Sequence, residues 1–260
     1  MVLERLIGTR EALKEPLKTF VLGAIISLIS LFVSYTIFPE STGLFTVIIM
    51  TIASVPLMNR ILRYEEGEDE KMMETHTFME RYGDIIVTYV AFFSGMILAM
   101  SLSFVFLPDN VANRVFDEQI NEINIIRGKF DFGDKFLNIF INNISVLMLS
   151  FLFSFLFGSG AIFILSWNAS VLSAAIGLIA KASGGVKAIP SAVMMFLPHG
   201  SFEIGAYFIG AIAGGLISAA VTRRKSIKFW PVVQDSMKLL VISFIFLIIG
   251  GTIETFIILM

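Results

Sequence analysis

Residues 188–222 read AIPSAVMMFLPHGSFEIGAYFIGAIAGGLISAAVT, with a single carboxylate and no Lys or Arg. An unbroken helix of that length would extend about 52 Å, whereas the hydrocarbon core of a bilayer is about 30 Å thick. Because proline and glycine interrupt helices, we expect a break at Pro198 and Gly200. The break would leave a short piece over 188–197 and a full membrane span over 201–222.

The composition around this stretch is that of a membrane protein. The chain of 260 residues is 56% hydrophobic and only 15% charged, with a mean hydropathy of +0.85. A soluble domain has about a quarter charged residues. We therefore predict one all-α integral membrane domain over 1–260, a polytopic transmembrane helix bundle in the lipid bilayer. The net charge of −2 argues against a nucleic-acid partner.

Apolar runs separated by polar turns predict about seven spans. Residues 1–84 would hold an N-terminal amphipathic helix at the membrane surface over 1–18, a helical hairpin, and a charged cytoplasmic loop from Arg60 to Asp84, in which a short helix-like piece containing His76 follows the charged run. One or two short surface helices are expected over 109–135. The predicted spans are 19–38, 44–62, 85–107, 136–157, 161–180, 201–222 and about 237 to the C-terminus.

The distribution of basic residues predicts the orientation. With the N-terminus in the cytoplasm, thirteen Lys and Arg residues fall on the inner side and six on the outer side. Short cytoplasmic loops carry an excess of Lys and Arg. We therefore expect a multi-pass cell-membrane protein with its N-terminus in the cytoplasm and its C-terminus outside.

Three ionisable side chains interrupt the apolar spans. His199 and Glu203 are four residues apart, so on a helix they share one face. Glu254 interrupts the last span. The two carboxylates each lie 19 residues from the expected inner ends of their spans, which predicts one depth for both, toward the outer leaflet. Ionisable groups at membrane depth are costly and mark function by default.

Amide side chains lie in two other spans. Asn142 and Asn143 fall in the outer half of theirs, and Asn168 lies in the next one. Such amides form hydrogen bonds between helices, worth about 0.6 to 2 kcal/mol each. Either that role or direct support of the polar site is consistent with the sequence.

Three functions are compatible with this set. His199, Glu203 and Glu254 supply one nitrogen and two carboxylates, the ligand pattern of a catalytic zinc or other divalent metal site with room for water. Such a site could hydrolyse a lipid or cell-envelope substrate. The alternatives are a small-solute transporter or channel-like protein, and a non-catalytic membrane scaffold. Whether the protein is an enzyme is left open.

The residues that carry these features resemble the stage II sporulation protein M family. The resemblance covers about 136–260 and rests on the Asn142-Asn143 pair, the region of Gly158 and Asn168, the Pro198-His199-Gly200-Ser201-Phe202-Glu203 block, and Ile253-Glu254-Thr255-Phe256. It implies an integral membrane protein. In sporulating bacteria it also implies partners that remodel the cell envelope during engulfment.

A stripe of small residues follows the His199 block. Gly205, Gly210, Gly214 and Gly215 give this span a face suited to close helix packing. We expect that face to mediate either packing within the chain or a homo-oligomer.

Overall fold

Residues 8–72, 78–130, 135–222 and 229–259 are described by the computed structural model, and they form helices with no strand among them. The predicted all-α class is therefore confirmed. A short 3₁₀ turn, Gly185–Ala188, precedes α9. The α-helices are α1 (Thr9–Lys14), α2 (Pro16–Ile37), α3 (Thr42–Met72), α4 (Phe78–Phe106), α5 (Asp109–Val115), α6 (Asp117–Phe130), α7 (Lys135–Phe157), α8 (Ala161–Ser183), α9 (Ile189–Thr222) and α10 (Phe229–Leu259).

Seven of the described helices are long and apolar enough to cross a membrane, namely α2, α3, α4, α7, α8, α9 and α10. The polytopic bundle predicted from the apolar runs is confirmed. Two short helices, α5 and α6, occupy most of the polar connection between α4 and α7, as expected.

The amphipathic helix expected over 1–18 is divided. The described part, α1, ends before Glu15, and α2 begins at Pro16 instead of residue 19; residues 1–7 lie outside the described part of the chain. Proline has no N–H to continue a helix but fits its first turn, so it ends one helix and starts the next. Lys18 pairs with Glu11 and Glu15 across this junction.

The predicted charged loop from Arg60 to Asp84 is wrong for much of its length. Helix α3 continues through Pro56 to Met72, and α4 already begins at Phe78. The segment 60–72 contains four Glu and two Arg together with Leu62, Lys71 and Met72, all of which favour helix, so its charge alone does not end α3. His76 lies outside the described residues.

The predicted break at Pro198 and Gly200 is also wrong, because α9 is continuous from Ile189 to Thr222. Pro198 removes one backbone donor and is exposed on the helix surface. Contacts with other helices stabilise α9 on both sides of Pro198. Ile189 belongs to a small cluster formed with the end of α8, and the C-terminal half of α9 is almost wholly buried.

Glycines bring α7, α9 and α10 together. A Cβ at Gly210 would lie 2.3 Å from Leu147 of α7, and one at Gly214 would lie 2.2 Å from the Phe151 carbonyl oxygen. The small-residue face of α9 therefore packs inside the chain, and a homo-oligomer would require another surface.

Helix α10 begins at Phe229, eight residues before the expected start, since Pro231 is tolerated in a first turn.

Candidate functional site

One face of α9 carries three polar side chains. His199, Glu203 and Tyr207 follow one another at intervals of four residues, one helical turn apart. His199 and Glu203 are partly buried, and Tyr207 is 5% exposed. The continuous helix, in place of the expected break, is what aligns all three.

Helix α10 approaches this face at a glycine. A Cβ at Gly250 would lie 2.8 Å from Cγ of Glu203 and 3.2 Å from the carbonyl oxygen of His199. One turn further along α10, Glu254 lies within side-chain hydrogen-bonding range of Glu203. The two carboxylates that the sequence places at one depth are therefore direct neighbours.

Helix α7 places the side-chain amide of Asn143 beside the Glu203–Glu254 pair. The hydroxyl of Tyr207 donates to Oδ1 of Asn143 at 2.8 Å, and Nδ2 of Asn142 donates to the same oxygen at 3.3 Å. Because the oxygen of the Asn143 amide accepts these two hydrogen bonds, the N–H groups of the same amide remain available as donors. The side chain with which they interact is the carboxyl group of Glu203. Three helices thus meet in one network.

The carboxyl pair has a defined chemical requirement. An ionised carboxylate only accepts hydrogen bonds, so a hydrogen bond between Glu203 and Glu254 requires a proton on one of them. Sharing one proton also avoids placing two adjacent negative charges in surroundings of low dielectric constant. The arrangement can hold a proton and release it.

Two buried atoms of the site have no partner among the described residues. They are Oε1 of Glu203 and Nδ1 of His199. An unsatisfied buried polar atom costs about 1 to 3 kcal/mol, so its presence calls for an explanation such as water, an ion or a functional ligand. Both residues belong to α9, one helical turn apart in sequence.

The geometry gives the zinc prediction no support. Within the described residues, no group of three or more His, Cys, Asp or Glu side chains is placed to hold a metal ion. Glu203 and Glu254 are neighbours, but the Asn143 amide oxygen beside them accepts from Tyr207 and Asn142, so it offers no free lone pair as a third ligand.

Of the three amides singled out in the sequence, Asn142 and Asn143 belong to the network and Asn168 does not. Nδ2 of Asn168 donates to the carbonyl oxygen of Ile164 in its own helix at 2.8 Å. Its role is local to α8.

Sequence reasoning missed Tyr207 and Gly250. The signal for Tyr207 was its position four residues after Glu203, on the same helical face. Gly250 lies four residues before Glu254, yet nothing in the sequence marks which glycine of the Gly250-Gly251 pair contacts α9.

The family model for stage II sporulation protein M matches residues 85–257, more than half of the chain. The chain belongs to the stage II sporulation protein M family. An uncharacterized protein of Methanocaldococcus jannaschii is 30% identical over 167 residues, covering 62% of this chain and 89% of that relative. No solved structure matches the chain.

The matched region of this stage II sporulation protein M family member begins at residue 85, well before the start at 136 inferred from the sequence. It therefore takes in nearly all of the span in α4 and the short helices α5 and α6. Every member of the polar network lies inside the match, on α7, α9 and α10.

Proposed function

We propose that the protein is a membrane transport protein in which the Glu203–Glu254 pair takes up and releases a proton as a small solute crosses. The observation that carries the proposal is the pair itself, two carboxyl groups from neighbouring spans within hydrogen-bonding range. Ionisable groups inside membrane bundles serve as proton relays and substrate sites in pumps and transporters.

The surrounding groups suit a site that changes its protonation. Asn143 can donate to Glu203 in either state of the pair, and Tyr207 keeps that amide oriented. Nδ1 of His199 and Oε1 of Glu203 have no hydrogen-bond partner among the described residues, and a polar solute entering the site would supply one.

Infrared difference spectra between acid and alkaline pH test the proton site in protein reconstituted in vesicles. A protonated carboxyl group has a distinct C=O absorption, and we expect one that disappears in Glu203→Gln and in Glu254→Gln. Glu40→Gln is the matched control, because Glu40 is exposed in the turn between α2 and α3. A spectrum unchanged in both glutamine variants would contradict the proposal.

Transport is tested in the same vesicles, loaded with a pH-sensitive dye. We expect proton movement on addition of a solute from a panel of amino acids, sugars and amines, and its loss in Glu203→Gln. A protonated pair in a protein that moves no proton would favour the scaffold alternative. About one zinc per chain, lost in both glutamine variants, would instead restore the metal site and its hydrolytic chemistry.

A further inference from the structure

A large apolar cavity lies away from the carboxyl pair, between α2, α4 and α5. Its volume is about 830 Å³, within the range of ligand pockets. Leu28 and Phe32 of α2, Leu98 and Ser103 of α4, and Val111 and Val115 of α5 are among the residues that line it.

The cavity adjoins a close contact between two helices. Around Gly23 and Gly95, α2 and α4 are in backbone contact, since a Cβ at Gly23 would lie 2.1 Å from the Phe92 carbonyl oxygen and one at Gly95 would lie 1.9 Å from that of Phe20. The lining residues follow these contacts in both helices. The cavity is therefore a cleft between two membrane spans, with hydrocarbon as its natural surroundings.

Helix α5 lines the cleft where α4 ends, and it carries a cation, Arg114, next to the lining residue Val115. Val111 and Val115 face the cavity, while Arg114 is exposed and donates from Nε to the carbonyl oxygen of Pro39 at 3.1 Å. The acid on the same helix, Asp109, is paired with Lys181 at 2.7 Å. Among the described residues, no carboxylate pairs with Arg114.

We propose that this cleft binds a membrane phospholipid, with its hydrocarbon chains between α2 and α4 and its phosphate on the guanidinium of Arg114. An arginine beside an apolar cleft at the edge of a span supplies both parts of such a ligand's recognition, since guanidinium binds phosphate through paired N–H donors. The two remaining Nη groups are the donors for the phosphate.

Native mass spectrometry tests the site on the full chain. The protein is reconstituted in nanodiscs containing equal parts of phosphatidylglycerol and a phosphate-free galactolipid with matched chains, then released. We expect one retained phosphatidylglycerol. Leu28→Trp and Ser103→Leu, which fill the cleft, should reduce retention of either lipid. Arg114→Ala should reduce the preference for phosphatidylglycerol about tenfold, the effect of losing a charge-assisted contact.

Two controls separate these effects from general damage. Ile52→Trp adds the same bulk to an exposed position on α3 that does not line the cleft, and Arg10→Ala removes an exposed cation on α1. Both should leave retention unchanged. Equal retention of the two lipids by the wild type, or phosphatidylglycerol retention that survives both filling variants, would overturn the proposal.

Discussion

At the scale of single residues, Gly250 sets how closely Glu203 and Glu254 approach. It is the point where α10 touches both the side chain of Glu203 and the backbone of His199. A Cβ there would lie 2.8 Å from Cγ of Glu203, so the Glu203 side chain would have to shift, while the His199 carbonyl oxygen at 3.2 Å cannot rotate away.

Gly250→Ala is therefore expected to destabilise the protein by about 1 to 3 kcal/mol, the usual cost of overpacking. It should also weaken the infrared signal of the shared proton, because the carboxyl groups would separate. Thermal unfolding in detergent and the difference spectra measure the two effects.

The neighbouring glycine provides the control. A Cβ at Gly251 would lie 3.7 Å from Ile139 and 3.8 Å from Phe136, which is ordinary contact. Gly251→Ala should be neutral or stabilising by up to about 1 kcal/mol, since alanine favours helix. Equal destabilisation by the two substitutions would contradict the assigned role of Gly250.

At the scale of elements, α9 is the longest described helix, and its continuity through Pro198 aligns the site. The chain contains no cysteine, so spin labels can be attached at chosen positions. Met195 and Val221 are both exposed and 26 residues apart, which corresponds to about 39 Å along a straight helix.

We expect a spin-label distance near that value for the double variant Met195→Cys, Val221→Cys. The pair Ser201→Cys, Val221→Cys, entirely after Pro198, should give about 30 Å and serves as the internal standard. A normal second distance with a much shorter first one would mean that α9 is broken after all.

At the scale of the whole molecule, the orientation in the membrane decides on which side the carboxyl pair opens. The excess of Lys and Arg predicts that the N-terminus is cytoplasmic. Glu40→Cys, in the exposed turn between α2 and α3, should then react with a membrane-impermeant thiol reagent in intact cells. Arg10→Cys should react only after lysis. The reverse pattern would contradict the predicted orientation and the outer position of the site.

Much of the architecture follows from composition and residue order. Apolar runs of 20 or more residues must satisfy their backbone hydrogen bonds internally in a bilayer, so the seven helices can be predicted from the sequence without knowing what they contact. The ends of the helices are harder to predict. The charged segment after residue 60 and Pro198 both suggest an end where the helix continues, because neighbouring helices or helix-favouring side chains sustain it.

The sequence by itself determined the apolar runs that form the spans, and it predicted one site for His199, Glu203 and Glu254 with the two carboxylates at one depth. Only the tertiary structure decided which of these side chains are neighbours. The rotation of α10 about its axis, set by Gly250 against α9, brings Glu254 to Glu203, and the packing of α7 brings the Asn143 amide and Tyr207 to the same point. Helix rotation depends on side chains far apart in the chain, so the pairing of Glu203 with Glu254 emerges only after the helices pack.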